Sequence, residues 1–312
     1  MAFLDESAVI LMYHRVSSVD RDPFWLNVRP ERFREQLAML KKTADVVPLR
    51  ELTPGARRVA ITFDDGYADN QEVAKPLLDD AALPATFFVS SCVVEQGPGF
   101  RFWWDRVEHL LLDHASDLDI SPIRVAPGLR ADLRSTAGRF RALAAASRRL
   151  RVLGPFRIEQ ELANLATRLG AQETACRCHR VMSESQLRDL DASPIADIGG
   201  HTRSHAQLAS LDAPAQRAEV ALGRAVLEET LDHPIESFAY PFGGHEAFDR
   251  RSVGAARRAG FVRACTTIPR SVTRFATRYR LPRFAVRDWS GADFSLQLER
   301  WFSGLGTGPL HS

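Results

Sequence analysis

Two adjacent aspartates, Asp64 and Asp65, directly follow an apolar run in residues 59–63 and precede Gly66. The run predicts a short buried strand, and consecutive strand residues point to opposite sides. Both acids can therefore serve one site only where the strand ends, and Gly66 supplies the turn for such an end. Two carboxylates held together can divide their tasks, one as a metal ligand and the other as a base. A surface Asp-Asp-Gly turn is an equally weighted alternative for this motif alone.

Residues 199–205 (GGHTRSH) carry His201 and His205 four positions apart, after the apolar Ile195 and Ile198 of another predicted strand. The spacing predicts that both imidazoles lie on one side of a helical turn, within reach of a single ion. Two imidazoles and one carboxylate, with an open position for water, suit catalytic zinc or a similar divalent metal. Such a pair alone is more often coincidental, and it gains weight from the acidic strand end elsewhere.

A third segment, residues 238–244 (FAYPFGG), is a short apolar run that stops at proline and glycine. This pattern predicts a strand whose end presents backbone amides to a ligand. Taken by itself, the segment is more often a structural turn.

Together, the three segments resemble the motifs of polysaccharide deacetylases of the NodB-homology type, carbohydrate esterase family four. The resemblance extends from about residue 9 to about residue 286. It implies that Asp64 is the catalytic base and that Asp65 is a metal ligand. It likewise implies that His201 and His205 complete the metal triad. The cofactor would be a divalent ion, with Zn²⁺ favoured over Co²⁺ or Ni²⁺.

The third motif, Tyr-Pro-Phe-Gly, resembles a variant in which the residue after proline offers its amide to the oxyanion. The resemblance thus places Phe242 and Tyr240 in the substrate site. Many family members carry an arginine two residues before the proline, and this chain has Ala239 there. Arg283 is the predicted replacement, which would orient the base. A surface arginine at a strand end is an equally weighted alternative.

No Leu-x-His motif follows the third motif, and Met-Tyr-His stands near the N-terminus instead. This arrangement resembles family members whose barrel order is circularly shifted, with the general-acid histidine on the first strand. His14 is therefore the predicted acid. The alternative is a hydrogen-bonded structural histidine, since an imidazole with its ordinary pKa of about 6.5 can serve either purpose.

The resemblance implies a hydrolase that removes N-acetyl groups from an acetylated amino sugar, in polysaccharide or exopolysaccharide synthesis. One alternative is a deacylase of another acyl amide or ester on a small metabolite. The other is a catalytically inactive carbohydrate-binding protein on the same fold. The substrate partner would be an acetylated sugar or glycan.

The composition is that of an ordinary soluble globular protein, with 312 residues, 45% hydrophobic and 26% charged. A net charge of +2 favours no particular partner, and nucleic acid is not expected. No apolar stretch is long enough to span a membrane. Acidic residues stand near the N-terminus where a signal peptide carries positive charge. We therefore expect a cytoplasmic protein, and the oligomeric state is left open.

Strand-like and helix-like segments alternate along the chain, which predicts an α/β fold: a distorted (β/α) barrel of about seven parallel strands. The catalytic candidates all follow predicted strands, where such barrels place their chemistry. The predicted strands span residues 9–13, 59–63, 86–89, 195–199, 238–240 and 263–266. The predicted helices span residues 30–42, 70–81, 184–190, 213–231 and 248–259.

Residues of about 100–182 interrupt this alternation, and we predict a mainly helical insertion within a single 1–312 domain. Its many arginines favour a solvated basic helix. The alternative is a site for an anionic partner, such as a lipid-linked glycan or a membrane surface. Trp104, with its neighbour Trp103, is a candidate for stacking on a sugar ring, and buried packing is at least as well supported. Cys92 and Cys265 are predicted core residues, and Cys176 and Cys178 are predicted to be reduced thiols in a loop.

Overall fold

The computed structural model describes residues 7–114, 123–171 and 179–304. The chain divides into two compact units. The first comprises the described residues up to Pro98 and from Val181, and the second is Gly99–Arg180. The second unit coincides closely with the predicted insertion, whereas the grouping of the whole chain into one domain stays a prediction.

The first unit is built on a parallel sheet in the order β11-β10-β9-β6-β5-β1-β12, with β4 pairing beside β5. Seven strands lie on this path, and the predicted distorted (β/α) barrel is confirmed. The described strands are β1 (Val9–Tyr13), β2 (Arg15–Val16), β3 (Asn27–Val28), β4 (Asp45–Val46), β5 (Arg58–Phe63), β6 (Ala85–Val89), β7 (Ile123–Ala126), β8 (Leu129–Ala131), β9 (Ala196–Gly200), β10 (Ser237–Ala239), β11 (Arg263–Cys265) and β12 (Phe284–Ala285).

One short segment connects the two edges of this sheet. Leu281 forms a parallel bridge with Cys265 of β11. Three residues further on, Phe284 of β12 pairs with Leu11 of β1. The residues between these two pairings are therefore held between the first and last strands of the barrel.

The helices agree closely with the predicted ones, except that the predicted helix 70–81 begins as a π-helical turn, Asn70–Ala74. Side-chain caps explain several starts: Ser183 and Asp212 each accept a hydrogen bond from the backbone N–H of the first turn. The α-helices are α1 (Pro30–Thr43), α2 (Lys75–Ala81), α3 (Cys92–Gln96), α4 (Trp103–Glu108), α5 (Thr136–Leu150), α6 (Pro155–Leu169), α7 (Glu184–Asp191), α8 (Ala213–Leu231), α9 (Arg250–Arg258) and α10 (Gly291–Phe302).

The central strands are enclosed by apolar packing, because every residue of β1 and of β6 is buried. The Phe63 ring stacks on Phe87 at 4.9 Å between centroids and on Tyr13 at 5.3 Å. In β9, a Cβ at Gly199 would lie 2.4 Å from Cδ1 of Phe88, so only glycine fits there. This packing fixes the register of β1, β5, β6 and β9, whose carboxyl ends meet at one edge.

The second unit contains α4, α5, α6 and the antiparallel hairpin β7–β8. One face of α5 is buried through Ala142, Leu143 and Ala146, and the arginines Arg141 and Arg148 are exposed. This arrangement is the solvated basic helix that the sequence favoured. In the first unit, Cys92 and Cys265 are buried as predicted. Two further predicted thiols lie outside the described residues: Cys176 and Cys178.

None of the described helices is both long enough and apolar enough to cross a membrane.

Candidate active site

The predicted metal ligands converge at the carboxyl ends of β5 and β9. Nε2 of His201 lies 3.5 Å from Oδ1 of Asp65, and Nε2 of His205 lies 3.1 Å from the same oxygen. All three side chains are buried, with 1–5% of each residue exposed. The fold thus brings together the carboxylate and both imidazoles that were predicted from the sequence as ligands of one metal ion.

The predicted helical turn between the two histidines is wrong. The residues after Gly200 form a loop, in which Thr202 and His205 both have left-handed backbone, with φ of 64° and 57°. Asp65 and Phe242 share this conformation, with φ of 81° and 60°. Non-glycine residues adopt it rarely and at a cost of about 1–3 kcal/mol each. These unusual conformations cluster where the ligands converge, which is a common property of functional sites.

The donor set fits a zinc-like divalent ion. Nδ1 of His201 donates a hydrogen bond of 2.8 Å to the carbonyl oxygen of Ala239, which can only accept. The proton must then be on Nδ1, which leaves Nε2, 3.5 Å from Oδ1 of Asp65, as the ring nitrogen on the side of the cluster. Burial lowers the pKa of His205, although Asp65 opposes this, which favours the neutral ring that binds metals. Burial alone would raise the pKa of Asp65, but His205 and His201 hold it well below its ordinary range.

The other aspartate, Asp64, is held by a buried arginine. Nη1 of Arg283 donates to Oδ1 of Asp64 at 2.7 Å, and Nη2 donates to Oδ2 at 2.6 Å. Arg283 is fully buried and Asp64 is 2% exposed. The surface-arginine alternative is therefore wrong. Burial alone would raise the pKa of Asp64, but Arg283 and then His201 lower it by more than burial raises it. The net pKa is below its ordinary value, so the carboxylate stays ionised.

Neighbouring groups fix the guanidinium of Arg283. Its Nε donates to the carbonyl of Thr266 at 2.9 Å, and Nη1 also donates to Oγ1 of Thr62 at 3.0 Å. Thr62 in turn donates to the carbonyl of Leu11. Sequence reasoning did not assign these two threonines a role, although Thr62 lies within the first motif. Both act by positioning Arg283.

His14 follows β1 at the same edge and is partly exposed. Nδ2 of Asn70 donates to its carbonyl oxygen at 2.8 Å. Burial lowers the pKa of His14, while Asp65 and then Asp64 raise it, so both carboxylates lie within electrostatic reach. Asn70 is a positioning residue that the sequence analysis missed, because nothing in the local pattern connects it with His14.

Two predicted substrate-site residues lie in other surroundings. Tyr240 is fully buried, and its hydroxyl donates to the carbonyl of Tyr279 at 3.1 Å. Trp104 is 5% exposed and stacks on Phe102 with the rings 4.4 Å apart. The structure thus supports the packing alternative for Trp104, and it gives the Tyr240 side chain a structural bond. Neither presents a surface for a sugar.

Phe242, by contrast, lies at the ligand cluster. Its ring meets the His205 ring edge to face at 4.8 Å. Two hydrogen bonds to its carbonyl oxygen hold its left-handed backbone in place. Oγ1 of Thr267 donates one of them at 2.7 Å, and the backbone amide of Gly244 donates the other. The segment at the end of β10 therefore lies next to the candidate metal ligands, and a role of the Phe242 amide in binding an oxyanion stays a prediction.

Comparison with known proteins gives the family. A model of the family described as polysaccharide deacetylase matches residues 51–173 and 168–264, more than half of the chain. The chain belongs to the polysaccharide deacetylase family. The expected class, a hydrolase that acts on carbon–nitrogen bonds, is confirmed at the level of this family.

Among curated relatives of this family member, YxkH of Bacillus subtilis (strain 168), described as a putative polysaccharide deacetylase, is 33% identical over 85 residues. That alignment covers 26% of the chain and 30% of the relative. Among solved structures, the deacetylase PplD of Streptococcus pyogenes, in complex with acetate, superposes with a TM-score of 0.62 at 16% identity. The match covers 94% of the chain and 99% of PplD. IcaB from Ammonifex degensii superposes with a TM-score of 0.58 at 19% identity, covering 95% and 97%. At these identities the superpositions establish the fold.

Proposed function

We propose that this chain is a divalent-metal-dependent N-deacetylase that acts on an acetylated amino sugar. The observation that carries the proposal is the pairing of two buried groups: the Asp65, His201 and His205 cluster, and next to it Asp64 clamped by Arg283. We assign Asp65 the role of a metal ligand, and Asp64, whose carboxylate Arg283 keeps ionised, the role of the base. Many family members carry an arginine at the position of Ala239, and in this chain Arg283 provides that positive charge instead. This weighs against the inactive carbohydrate-binding alternative.

The proposed reaction is hydrolysis of the acetamide bond. An ion held by Asp65, His201 and His205 would supply Lewis acidity, polarising the acetyl carbonyl and favouring deprotonation of water. Asp64 takes the proton of the attacking water on its carboxylate, and Arg283 keeps that carboxylate oriented. The backbone amide of Phe242 donates to the oxygen of the carbonyl as negative charge develops there. His14 gives a proton to the departing nitrogen, because an amide nitrogen leaves poorly as an anion. The products are acetate and a free amino sugar.

Acetate release tests this proposal. The purified chain, supplied with Zn²⁺, is incubated with N-acetylglucosamine oligomers of graded length and, in parallel, with their O-acetylated counterparts. We expect acetate from the N-acetylated series, with the reducing-sugar count unchanged. Release from the O-acetylated series alone would instead identify an esterase. No release from either series, in a chain shown to bind metal, would contradict the proposal for this sugar class.

We predict that His14→Ala lowers turnover by about 10²–10⁴-fold, the usual contribution of a general acid. The bound metal should be retained, because the metal ligands stay intact. The comparison is His233→Ala, which removes an exposed histidine paired with Asp191. If His14→Ala matches His233→Ala in turnover, His14 has only a structural role.

The role in exopolysaccharide synthesis and the motif branch, with Met-Tyr-His and Tyr-Pro-Phe-Gly, belong to this proposal. BpsB of Bordetella bronchiseptica, whose deacetylase domain superposes with a TM-score of 0.56 at 16% identity, supports the fold. The cytoplasmic location stays a prediction, and so does contact with a lipid-linked glycan or a membrane.

A further inference from the structure

A cavity of about 490 Å³ opens where the chain leaves β1 and β12. Its volume is ordinary for a small-ligand pocket, for which the range is about 300–1,000 Å³. One wall comes from residues 19–29, which follow β1 and β2 and return through β3. The other wall is residues 287–289, which follow β12. We call this cavity the β1–β12 pocket.

The β1–β12 pocket lies on the side of His14. In the sheet, β1 stands between β12 and β5, and β5 ends at Asp64 and Asp65. The amide of Val286 donates to the carbonyl of Met12 at 3.0 Å, so the wall after β12 starts level with the end of β1. The other wall begins shortly after His14 along the chain. Along this edge of the barrel, His14 therefore stands between the two aspartates and the pocket.

The loop of the first wall holds Trp25 in the open. Trp25 is 61% exposed, although tryptophan is highly buried on average. Its backbone is left-handed, with φ of 58°, which is rare and costly for a bulky residue. The carboxylate of Asp22 accepts from the amides of Leu26 and Asn27, both at 2.9 Å, and Nη1 of Arg287 donates to the carbonyl of Trp25 from the opposite wall. The exposed indole is thus carried by a backbone that is fixed in advance.

The second wall is fixed to the strand that carries the proposed acid. Nε2 of the fully buried Gln36 donates to the carbonyls of Arg287 and Trp289, both at 3.0 Å. Its Oε1 accepts from the hydroxyl of Tyr13, also at 3.0 Å. Tyr13 directly precedes His14. One buried amide therefore sets both the position of the half-buried Trp289 and that of the residue before His14.

The charged side chains of the pocket balance in number. Three are acidic and three are basic: Asp20, Asp22, Asp288, Arg21, Arg29 and Arg287. Nε of Arg29 donates to Oδ2 of Asp288 at 2.7 Å. This balance favours neither an anion nor a cation, whereas hydroxyl groups can donate to carboxylates and accept from guanidinium groups. Aromatic faces beside such polar groups suit a neutral sugar, which has apolar C–H faces and a rim of hydroxyls.

We propose that the β1–β12 pocket is a subsite for the sugar unit next to the one that loses its acetyl group, with the Trp25 indole stacked on the ring. This inference rests on the proposed function, in which His14 gives a proton to the departing nitrogen. That nitrogen belongs to the sugar, so the sugar lies on the His14 side of the bond that breaks. The pocket is the next feature of the barrel edge on that side, where a linked sugar unit would lie.

The test measures binding separately from turnover. N-acetylglucosamine oligomers of one to six units are titrated by calorimetry into the chelator-stripped chain, which lacks the ion that the proposed turnover needs. We expect oligomers of two or more units to bind the parent about 10-fold more tightly than the single sugar, and Trp25→Ala to lose about this factor, as on truncation of a tryptophan that carries binding energy. Trp25→Phe, which keeps an aromatic face, should restore most of it. In the metal-loaded chain, the loss in Trp25→Ala should appear in KM for the oligomers rather than in kcat.

Phe156→Ala is the control, because it removes an aromatic side chain that is 75% exposed in the second unit, and it should bind oligomers like the parent. Oligomers that bind Trp25→Ala as tightly as the parent would overturn the subsite, even in a chain that releases acetate. So would oligomers that bind no more tightly than the single sugar, or that do not bind at any length. Oligomer binding that depends on Trp25, in a metal-loaded chain that releases no acetate, would support the subsite and contradict only the proposed reaction.

Discussion

Replacing Arg283 by methionine is expected to lower the free energy of unfolding by about 3–5 kcal/mol, the usual cost of removing one partner of a buried ion pair. The reason is that Asp64 stays buried without the guanidinium that now donates to both of its oxygens. Turnover should fall as well, because the carboxylate loses its orientation. Denaturant unfolding of the two chains measures the difference.

A double variant makes this prediction specific. Asp64→Asn added to Arg283→Met removes the uncompensated charge, so we expect part of the lost stability to return. The matched control is Arg188→Met, which breaks an exposed pair with Glu184 and should cost less than about 1 kcal/mol. A loss for Arg283→Met no larger than for Arg188→Met would contradict the account of the clamp.

The effect should also depend on pH in a defined direction. The pKa of Asp64 is lowered in the folded chain, because Arg283 and His201 outweigh burial. The pair therefore contributes its full stability above the unfolded pKa of about 3.9 and loses it as the pH falls towards the lower folded value. In Arg283→Met, burial without the guanidinium raises the pKa of Asp64, so its carboxylate is protonated at a higher pH than in the parent. The difference in unfolding free energy between the two chains should therefore be largest at high pH and should narrow as the pH falls through that raised pKa.

Asp64→Asn is expected to lower turnover by about 10²–10⁴-fold, because asparagine has the shape of aspartate but cannot accept the proton of water. The metal should be retained, since Asp64 is not one of the proposed ligands. Acetate release and metal content are measured on the same preparation. Asp197→Asn is the control, because it alters a carboxylate that pairs with Arg50. Asp197 lies at the amino end of β9, whereas the candidate site lies at the carboxyl end of that strand. Normal turnover in Asp64→Asn would show that the base is another group.

Sequence reasoning anticipated the residues of the site better than their surroundings. Asp64 and Asp65 were predictable only in combination with the other two motifs, because an Asp-Asp-Gly segment alone is equally consistent with a surface turn. The pairing of Asp65 with His201 and His205 was predicted through the family resemblance and is seen in the structure. The local conformation of the two histidines was not predictable, since a spacing of four residues suggests a helix. In the structure a loop with left-handed residues brings the two imidazoles together instead.

The remaining differences come from tertiary packing. The burial of Arg283 depends on a short segment that bridges β11 and β1, and its two-residue strand is too brief for any periodicity to reveal. Tyr240 and Trp104 look like substrate contacts by residue type, because large aromatic side chains suit both sugars and cores. Only the neighbours in the folded chain, Tyr279 and Phe102, decide between the two.

The most direct test of the metal site at the centre of this account is the metal content of the purified chain compared with that of His201→Ala. The parent is predicted to hold one equivalent of zinc more than the variant, after both are stripped and reloaded in the same way. His233→Ala, which removes an exposed histidine, should match the parent. Equal metal content in the parent chain and in His201→Ala would contradict the metal site, and with it the proposed hydrolysis.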